Sequence, residues 1–327
     1  MPSAEQTERF RRDLETLTGG APDRLAVAVS GGPDSLALLL LACAAFPGRI
    51  LAATVDHGLR ADNAKEAEFV ASVCVGLGVP HAILSDPGRT IEGANLQAEA
   101  RELRYRLLAE WAAKGAALWL ATAHHLDDQA ETVLMRLARG SGLSGLAAVR
   151  ASRPEPPLTV VRPLLGWRRQ ELAAIVAGAG LAAVDDPSNR SDAHDRTRFR
   201  ALLADSALLP PMRLAAAAAH LAEAEEALSW AAEREWQARA GVDGTAVTLD
   251  SDGLPPELLR RLASRAIDAV RGGGDWRRDK LADALATVAR SGRATVGEVQ
   301  ISAGPRLRFE PAAPRRPTGG PASRSPL

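Results

Sequence analysis

The chain has 327 residues, 46% of them hydrophobic and 24% charged, with 40 Lys and Arg balanced by 40 Asp and Glu. This is the make-up of a soluble globular protein with room for two cores. It excludes a membrane span, because no 18 apolar residues run together, and a disulfide or four-cysteine zinc framework, because Cys43 and Cys74 stand apart in apolar runs.

The opening segment MPSAEQTERFRRDLETLTGG mixes charges of both signs and has no apolar stretch of the kind a signal peptide carries. With cysteine usage that fits a reducing compartment, the expectation is a cytoplasmic protein with no membrane partner. Leu25–Val29, Ile50–Val55, His81–Leu84 and Ala117–Thr122 then read as short strands buried on both faces. Helices are expected between them over Leu36–Ala45, Asn63–Leu77 and Asn95–Lys114. In the last, Leu96, Ala100, Leu103, Leu107 and Trp111 recur at helical spacing. Strand and helix alternating in this rhythm predict an α/β domain with a doubly wound, mostly parallel, Rossmann-like sheet.

A further helix follows Asp128, with Ala130, Val133, Leu134, Leu137 and Ala138 on one face, and ends at Arg139-Gly140-Ser141-Gly142. A strand over Thr159–Val161, a helix over Gln170–Ala179 and a turn at Asp186-Pro187-Ser188-Asn189 complete this domain, residues 1–209. The prolines of Leu209-Pro210-Pro211 mark a boundary. Residues 210–311 form a smaller, mainly helical domain: helices over Met212–Arg239, Pro256–Val270 and Trp276–Arg290, then a hairpin of Val299–Ser302 with Arg306–Phe309. The tail, 312–327, is rich in Pro, Gly, Ser and Arg and is expected to lack structure. From Leu254 onward 14 Lys and Arg face 7 Asp and Glu. By itself that is a solvated surface; it becomes a nucleic-acid face only if the front domain has chemistry that needs one.

Ser30-Gly31-Gly32-Pro33-Asp34-Ser35 follows the first strand and opens the first helix. The glycines let backbone amides approach a ligand, Pro33 suits the first helical turn, and the helix N-terminus favours an anion. Ser30 and Ser35 offer hydroxyls to phosphate. Asp34 repels phosphate unless a cation lies between them, which points to Mg²⁺. No GxxxxGK[ST] occurs, so this is no Walker loop. Gly140-Ser141-Gly142-Leu143-Ser144-Gly145 spells GxGxxG but follows a helix, and reads as a chance match.

Val55-Asp56-His57-Gly58-Leu59-Arg60 ends the second strand, at the sheet edge where open α/β domains bind ligands. Arg101, Arg104 and Tyr105 lie on the third helix. His124-His125-Leu126-Asp127-Asp128-Gln129-Ala130-Glu131 leaves the fourth strand. Asp128 and Glu131 have a capping reading there, Asp128 as the cap and Glu131 closing a box. Their position also lets His124, Asp128 and Glu131 hold metal, move protons, or both.

These segments, in this order, resemble those of the tRNA(Ile)-lysidine synthetases, PP-loop enzymes of the N-type ATP pyrophosphatase class. The resemblance rests on SGGPDS, VDHGLR, the Glu99-Ala100-Arg101 to Arg104-Tyr105 stretch and ATAHHLDDQAETVLMRLARGSGLSGL. It also rests on Arg162-Pro163-Leu164-Leu165, Asp186-Pro187-Ser188-Asn189 and Arg196-Thr197-Arg198-Phe199-Arg200. Thr197 departs from the Asn the family usually has. The resemblance covers about Ala26 to Pro210 strongly and the helical domain loosely.

It implies ATP and Mg²⁺ as cofactors, with tRNA(Ile) bearing a CAU anticodon and free L-lysine as partners. The family adenylates the C2 oxygen of the wobble cytidine, releases pyrophosphate, and lets lysine displace AMP. On that basis Ser30, Gly31, Gly32, Pro33, Asp34, Ser35, Asp56 and His57 are expected at the nucleotide, and Asp34 and Asp128 at the metal. His124, Asp128, Glu131 and Asp34 are the expected catalytic groups. Arg101, Arg104, Arg196 and Arg200 are expected at the substrates, and Arg277 and Arg278, from the basic half, at tRNA phosphates. The rival within the class is a tRNA thiolase, which generally needs paired cysteines. An idle ATP- or tRNA-binding module is the rival outside it. A homodimer stays open.

Overall fold

The computed structural model describes residues 1–56, 63–86, 96–183 and 195–313. The expectations at His57 to Arg60, at the Asp186–Asn189 turn and for the tail from residue 314 lie outside the described residues. The chain divides into two compact units, Met1–Glu223 and Ala224–Leu327.

The first unit opens with α1 (Ala4–Thr18), capped by a reciprocal Ser3–Gln6 box and stopped by Gly19 in the left-handed region. It continues with β1 (Leu25–Ala28), α2 (Pro33–Ala45), β2 (Ile50–Val55), α3 (Asn63–Leu77), β3 (His81–Leu84), α4 (Leu96–Lys114) and β4 (Trp119–Ala121). After these come α5 (Leu126–Ala138), α6 (Leu143–Leu146), β5 (Ser152–Glu155), β6 (Leu158–Val161), α7 (Arg169–Gly178) and α8 (Asp195–Asp205). The sheet order is β3-β2-β1-β4-β6-β5, parallel except for β5 at one edge. The doubly wound parallel sheet is therefore as the alternation of elements implied. Strand order reverses between β1 and β4, so the loops leaving those two strands open onto one crevice.

Alternation along β1 supplies two cores. Leu25 and Val27 face α1, α2, α3 and α7, while Ala26 faces α4. Every residue of α2 from Ser35 to Ala42 is buried. A helix apolar all round has no solvent face to offer and belongs between layers. It lies between α1, with Phe10 and Leu14, and α7, with Leu172, Ile175 and Val176. Among the described residues no helix is long and apolar enough to cross a membrane.

The long helix α9 (Pro211–Arg239) starts at the expected prolines, but the division between compact units falls inside it rather than at Leu209-Pro210. The second unit holds more sheet than a terminal hairpin. β7 (Ala240–Asp243), β8 (Ala246–Leu249), β9 (Arg293–Val296), β10 (Val299–Ser302) and β11 (Leu307–Pro311) form an antiparallel sheet in the order β7-β8-β11-β10-β9. Helices α10 (Pro256–Arg271) and α11 (Leu281–Ser291) pack on it, around Leu249, Leu262, Ile267, Ile301 and Phe309. The expected pairing of 299–302 with the strand after Pro305 is present, with Ile301 opposite Phe309. The helix expected from Trp276 begins at Leu281, after a single 3₁₀ turn at Arg278–Lys280. Trp276 is used differently: its indole N–H donates to Asp268 and its ring covers Gly297.

Candidate active site

The phosphate loop leaves β1 at the crevice. Gly31 has φ 87°, a left-handed conformation that a side chain would strain. Ser35 Oγ accepts from the Ser30 amide at 3.1 Å, donates to the Gly32 carbonyl at 3.0 Å, and lies 3.2 Å from Ser30 Oγ. The two serines thus close the loop on itself. Gly32 is the N-cap of α2 and supplies no side-chain cap, so the first amides of that helix remain for an anion. Asp34, in the first turn, has Oδ1 buried without a hydrogen-bond partner.

The facing element is α5, which begins at Leu126. Its cap is His125, not Asp128: the His125 amide donates to Asp128 Oδ2 at 3.1 Å and the Asp128 amide donates to His125 Nδ1 at 3.3 Å. A ring nitrogen thus takes the part a serine hydroxyl plays in other capping boxes. With Nδ1 accepting, the imidazole carries its proton on Nε2, which lies 3.4 Å from Asp34 Oδ2 and 3.6 Å from Asp128 Oδ2. Burial pulls the His125 pKa down, but the bond to Asp34 and the charges of Asp128, Asp34 and Asp127 outweigh it and leave the pKa raised. Sequence reasoning singled out His124 and passed over this residue. The signal for it was its place three residues before Asp128, the interval of a capping box.

His124 stands on the other side. Its Nδ1 is 3.1 Å from Thr122 Oγ1. Burial, then the charges of Arg162, Arg101, Arg196 and Arg104, push its pKa down to about 3. It is a neutral hydrogen-bonding group at any working pH.

The start of α5 is fixed from behind. Leu126 N donates to the Trp167 carbonyl at 2.9 Å, and Asp127 accepts from Arg168 Nε and from the Arg169 amide at 2.8 Å. Burial raises the Asp127 pKa, but those two hydrogen bonds and the charges of Arg168 and His125 bring it below the usual value. Trp167, fully buried, donates to Asp13 on α1 at 2.8 Å, and Arg9 stacks 4.0 Å over its ring. Helix α1, which sequence reading left unassigned, therefore supports the crevice.

Glu131 is 2% exposed and bonds two arginines of α8: Arg200 Nε at 2.7 Å and Arg196 Nε at 3.0 Å. Arg196 also reaches toward Asp128, 3.7 Å away. Asp56 ends β2, its amide donating to the Leu84 carbonyl. Arg101 and Arg104 lie on α4, and Arg101 sits over the Tyr105 ring at 5.0 Å. Ser30 to Ser35, His124, Asp128, Glu131, Arg196 and Arg200 thus gather around one crevice, linked through His125 and Glu131. Arg277 and Arg278 belong to the second unit. They are exposed and paired with Asp279 and Asp268, each at 3.0 Å. Arg261, by contrast, is clamped to Glu225 and Glu257, tying α10 to α9.

Among the described residues no three His, Cys, Asp or Glu side chains form a metal site of their own. One or two carboxylates with the remaining ligands drawn from water and phosphate suit Mg²⁺. The unpartnered Asp34 Oδ1 fits such an ion, with Asp128 beside it on the same histidine nitrogen.

A family model described as the PP-loop domain matches residues 5–207. The tRNA(Ile)-lysidine synthase of Zymomonas mobilis is 44% identical over 305 residues, 92% of each chain. The chain belongs to the tRNA(Ile)-lysidine synthase family. Its relative of that name from Novosphingobium aromaticivorans is also 44% identical, over 89% of both chains. Among solved structures, the U34-tRNA thiolase NcsA of Methanococcus maripaludis, with its [4Fe-4S] cluster, superimposes with a TM-score of 0.57 at 19% identity. That match covers 67% of this chain and 79% of the other, and the likeness is one of fold. Membership of the lysidine synthase family makes the chain a PP-loop enzyme that uses ATP.

Proposed function

We propose that the enzyme joins free L-lysine to C2 of the wobble cytidine in the CAU anticodon of tRNA(Ile). The C2 oxygen attacks the α-phosphorus of ATP, an O–P bond forms, and pyrophosphate leaves. The lysine ε-amine then attacks C2, AMP departs with the oxygen, and the amine proton passes to a base. The lysidine formed reads AUA in place of AUG.

The observation that carries this reading is the Asp34 carboxylate with a buried, unpartnered oxygen, set in an uncapped phosphate loop. That loop and the first amides of α2 receive the triphosphate, with Asp56 and His57 at the nucleotide. Asp34 and Asp128 would hold Mg²⁺, which would neutralise phosphate charge when bound. His125 keeps both carboxylates in register through its Nε2 proton. Asp128 is the base for the amine proton, and His124 contributes as a neutral hydrogen-bonding group. Glu131 holds Arg196 and Arg200 toward the anticodon and the nucleotide.

Sulfur transfer is less well supported. Burial pushes the Cys43 thiol up to about 12, helped by Cys74, and the Cys74 thiol up to about 11. Both lie in the core packed by α2 and α3, and a thiol so placed is a poor nucleophile.

The test is incubation with ATP, labelled lysine and tRNA carrying a CAU anticodon, followed by nucleoside analysis. Label in lysidine, with AMP and pyrophosphate formed in equal amounts, is the expected result. ATP turnover without lysine in the nucleoside overturns the reading.

On the second unit, Arg277 and Arg278 contact tRNA phosphates. Replacing both with Ala weakens tRNA binding and lowers its salt slope by roughly one to two, with the KM for ATP unchanged. An unchanged slope removes them from the docking face.

A further inference from the structure

Among the described residues β9 stands at the rim of the second sheet, hydrogen-bonded on one side only, to β10. Ala303 N donates to the Gly292 carbonyl at 2.7 Å, which puts residues 292, 294 and 296 at the bonded positions of that ladder. Arg293 and Thr295 therefore turn their backbone N–H and C=O groups outward. These groups have one partner among the described residues, the Ser291 hydroxyl, 3.3 Å from the Arg293 carbonyl. Sheet edges are commonly blunted by a proline, a bulge or a covering element. Strand β5, at the edge of the first sheet, carries Pro154. Strand β9, Arg-Ala-Thr-Val, has neither proline nor bulge.

Beside this edge a groove of about 390 Å³ runs between β9 and α11. Ala284, Ala294 and Val296 give it apolar surface, and Lys280, Asp283 and Thr287 line it from the α11 side. Arg290, almost one turn beyond Thr287, donates to the Thr287 hydroxyl at 3.3 Å. Arg293 stands exposed at the start of β9. Lys280, Arg290 and Arg293 have no ion pair to a carboxylate among the described residues, and Asp283 is the one acid that lines the groove. Ala294 and Val296 face the core, so Arg293 and Thr295 face the other way. A strand added beside β9 thus meets a cation on each face: Lys280 and Arg290 on the helix side, Arg293 on the other.

A row of outward amides and carbonyls is matched by another extended polypeptide, and a nucleic acid has no such row to offer. A second copy of this chain is a poor match, because pairing two β9 strands doubles the same cations in one place. The chain's own tail, with Arg315, Arg316 and Arg324 and no Asp or Glu after Glu310, is repelled in the same way.

We propose that β9 and α11 form a docking groove for an extended, acidic peptide segment of a partner protein, which adds as a sixth strand of the second sheet. Main-chain pairing with Arg293 and Thr295 supplies affinity. Carboxylates along the peptide supply specificity through Lys280, Arg290 and Arg293. The groove belongs to the second unit, and its occupancy does not depend on the lysine-ligation reading.

The test uses the whole protein and two dye-labelled peptides, Ser-Glu-Val-Glu-Val-Glu-Ser and its counterpart with Lys at every Glu. Fluorescence anisotropy gives affinity at several salt concentrations, and hydrogen exchange read by mass follows residues 290–297. The acidic peptide binds at least about tenfold more tightly than the basic one, and its affinity falls as salt rises. It slows exchange at Arg293 and Thr295. Thr295→Pro removes an outward N–H at an edge position that accepts proline, and weakens the acidic peptide by about fivefold or more. Lys280→Glu leaves the strand intact and narrows or reverses the peptide preference, which keeps the result readable if the proline variant folds poorly.

Binding of neither peptide leaves the cations as guards of the edge and overturns the proposal. Equal binding of both, or binding without slower exchange at 293–295, overturns it as well. Protection of these amides by tRNA, with no binding of the acidic peptide, makes the edge an RNA surface instead. Protection that grows with protein concentration in the absence of peptide assigns the edge to a second copy.

Discussion

Asp34→Asn leaves a folded protein that no longer releases pyrophosphate at a useful rate, with a loss on the order of a thousandfold. The substitution keeps the shape of the side chain, and the buried Oδ1 has no hydrogen bond to lose. The Asp34 side chain is 27% exposed, so the relief in desolvation is small and offsets the lost contact with His125, and thermal stability changes little. What disappears is the negative charge that, in the proposed reading, would hold a cation at the first turn of α2. His125 loses its carboxylate neighbour at 3.4 Å in the same step. Rate and melting temperature measured on one preparation check the result. Comparable turnover by the folded variant removes Asp34 from the site, and an equal loss of fold and rate assigns it to structure.

Glu131→Gln has the second large effect, by a different route. The carboxylate is buried to 98% and both its oxygens are engaged, by Arg200 and Arg196. Its task is to hold two cations of α8 at the mouth of the crevice. A neutral amide ends both ion pairs, keeps one accepting oxygen, and turns N–H donors toward a guanidinium. The arginine side chains are 45% and 32% exposed, so water relieves part of the loss. The stability cost is about 2 kcal/mol rather than the larger penalty of a fully buried pair.

Activity falls by about a hundredfold, mainly through KM for tRNA and ATP, because binding groups are displaced. Arg200→Gln added to Glu131→Gln costs little more, since both changes break one contact. A pure kcat defect, or losses that multiply in the double variant, returns Glu131 to the chemistry itself.

The residues that the sequence made legible are those whose local pattern and tertiary role agree. The phosphate loop, the strands at 50–55 and 81–84 and the helix at 63–77 stand where hydrophobic period and glycine placement put them. Helix α1 was legible in principle: Phe10, Leu14 and Leu17 recur at helical spacing after a Ser3–Gln6 box, but charges crowd the rest of its faces. Strand β5, Ser-Arg-Pro-Glu, has no apolar signature because it is a sheet edge.

The β9–β10 hairpin turns on Gly297 and Glu298, at φ 55° and 63°. Two residues of positive φ make the tight turn that suits strand twist, yet Glu is not a residue that announces it. At the site, Asp34 and Asp128 were readable from type and place. His125 and the partners of Tyr105 were not, since their meaning comes from neighbours supplied by other strands and helices. Arg153 of β5 lies over the Tyr105 ring of α4 at 4.8 Å, a contact that exists only when those two elements pack.

The phosphate loop is continuous with α2, whose flanks are closed by α1 and α7. Amides at such a depth exchange with solvent through global opening rather than local fraying. The ligand-gripping turn is thus anchored to the slowest-exchanging part of the first unit. Most enzymes place their mobile segments where substrate enters. A nucleotide bound as proposed would meet backbone already ordered, and little of its binding energy would go into ordering that backbone. Inactivation by denaturant therefore coincides with loss of the first unit as a whole, without an earlier step confined to the site.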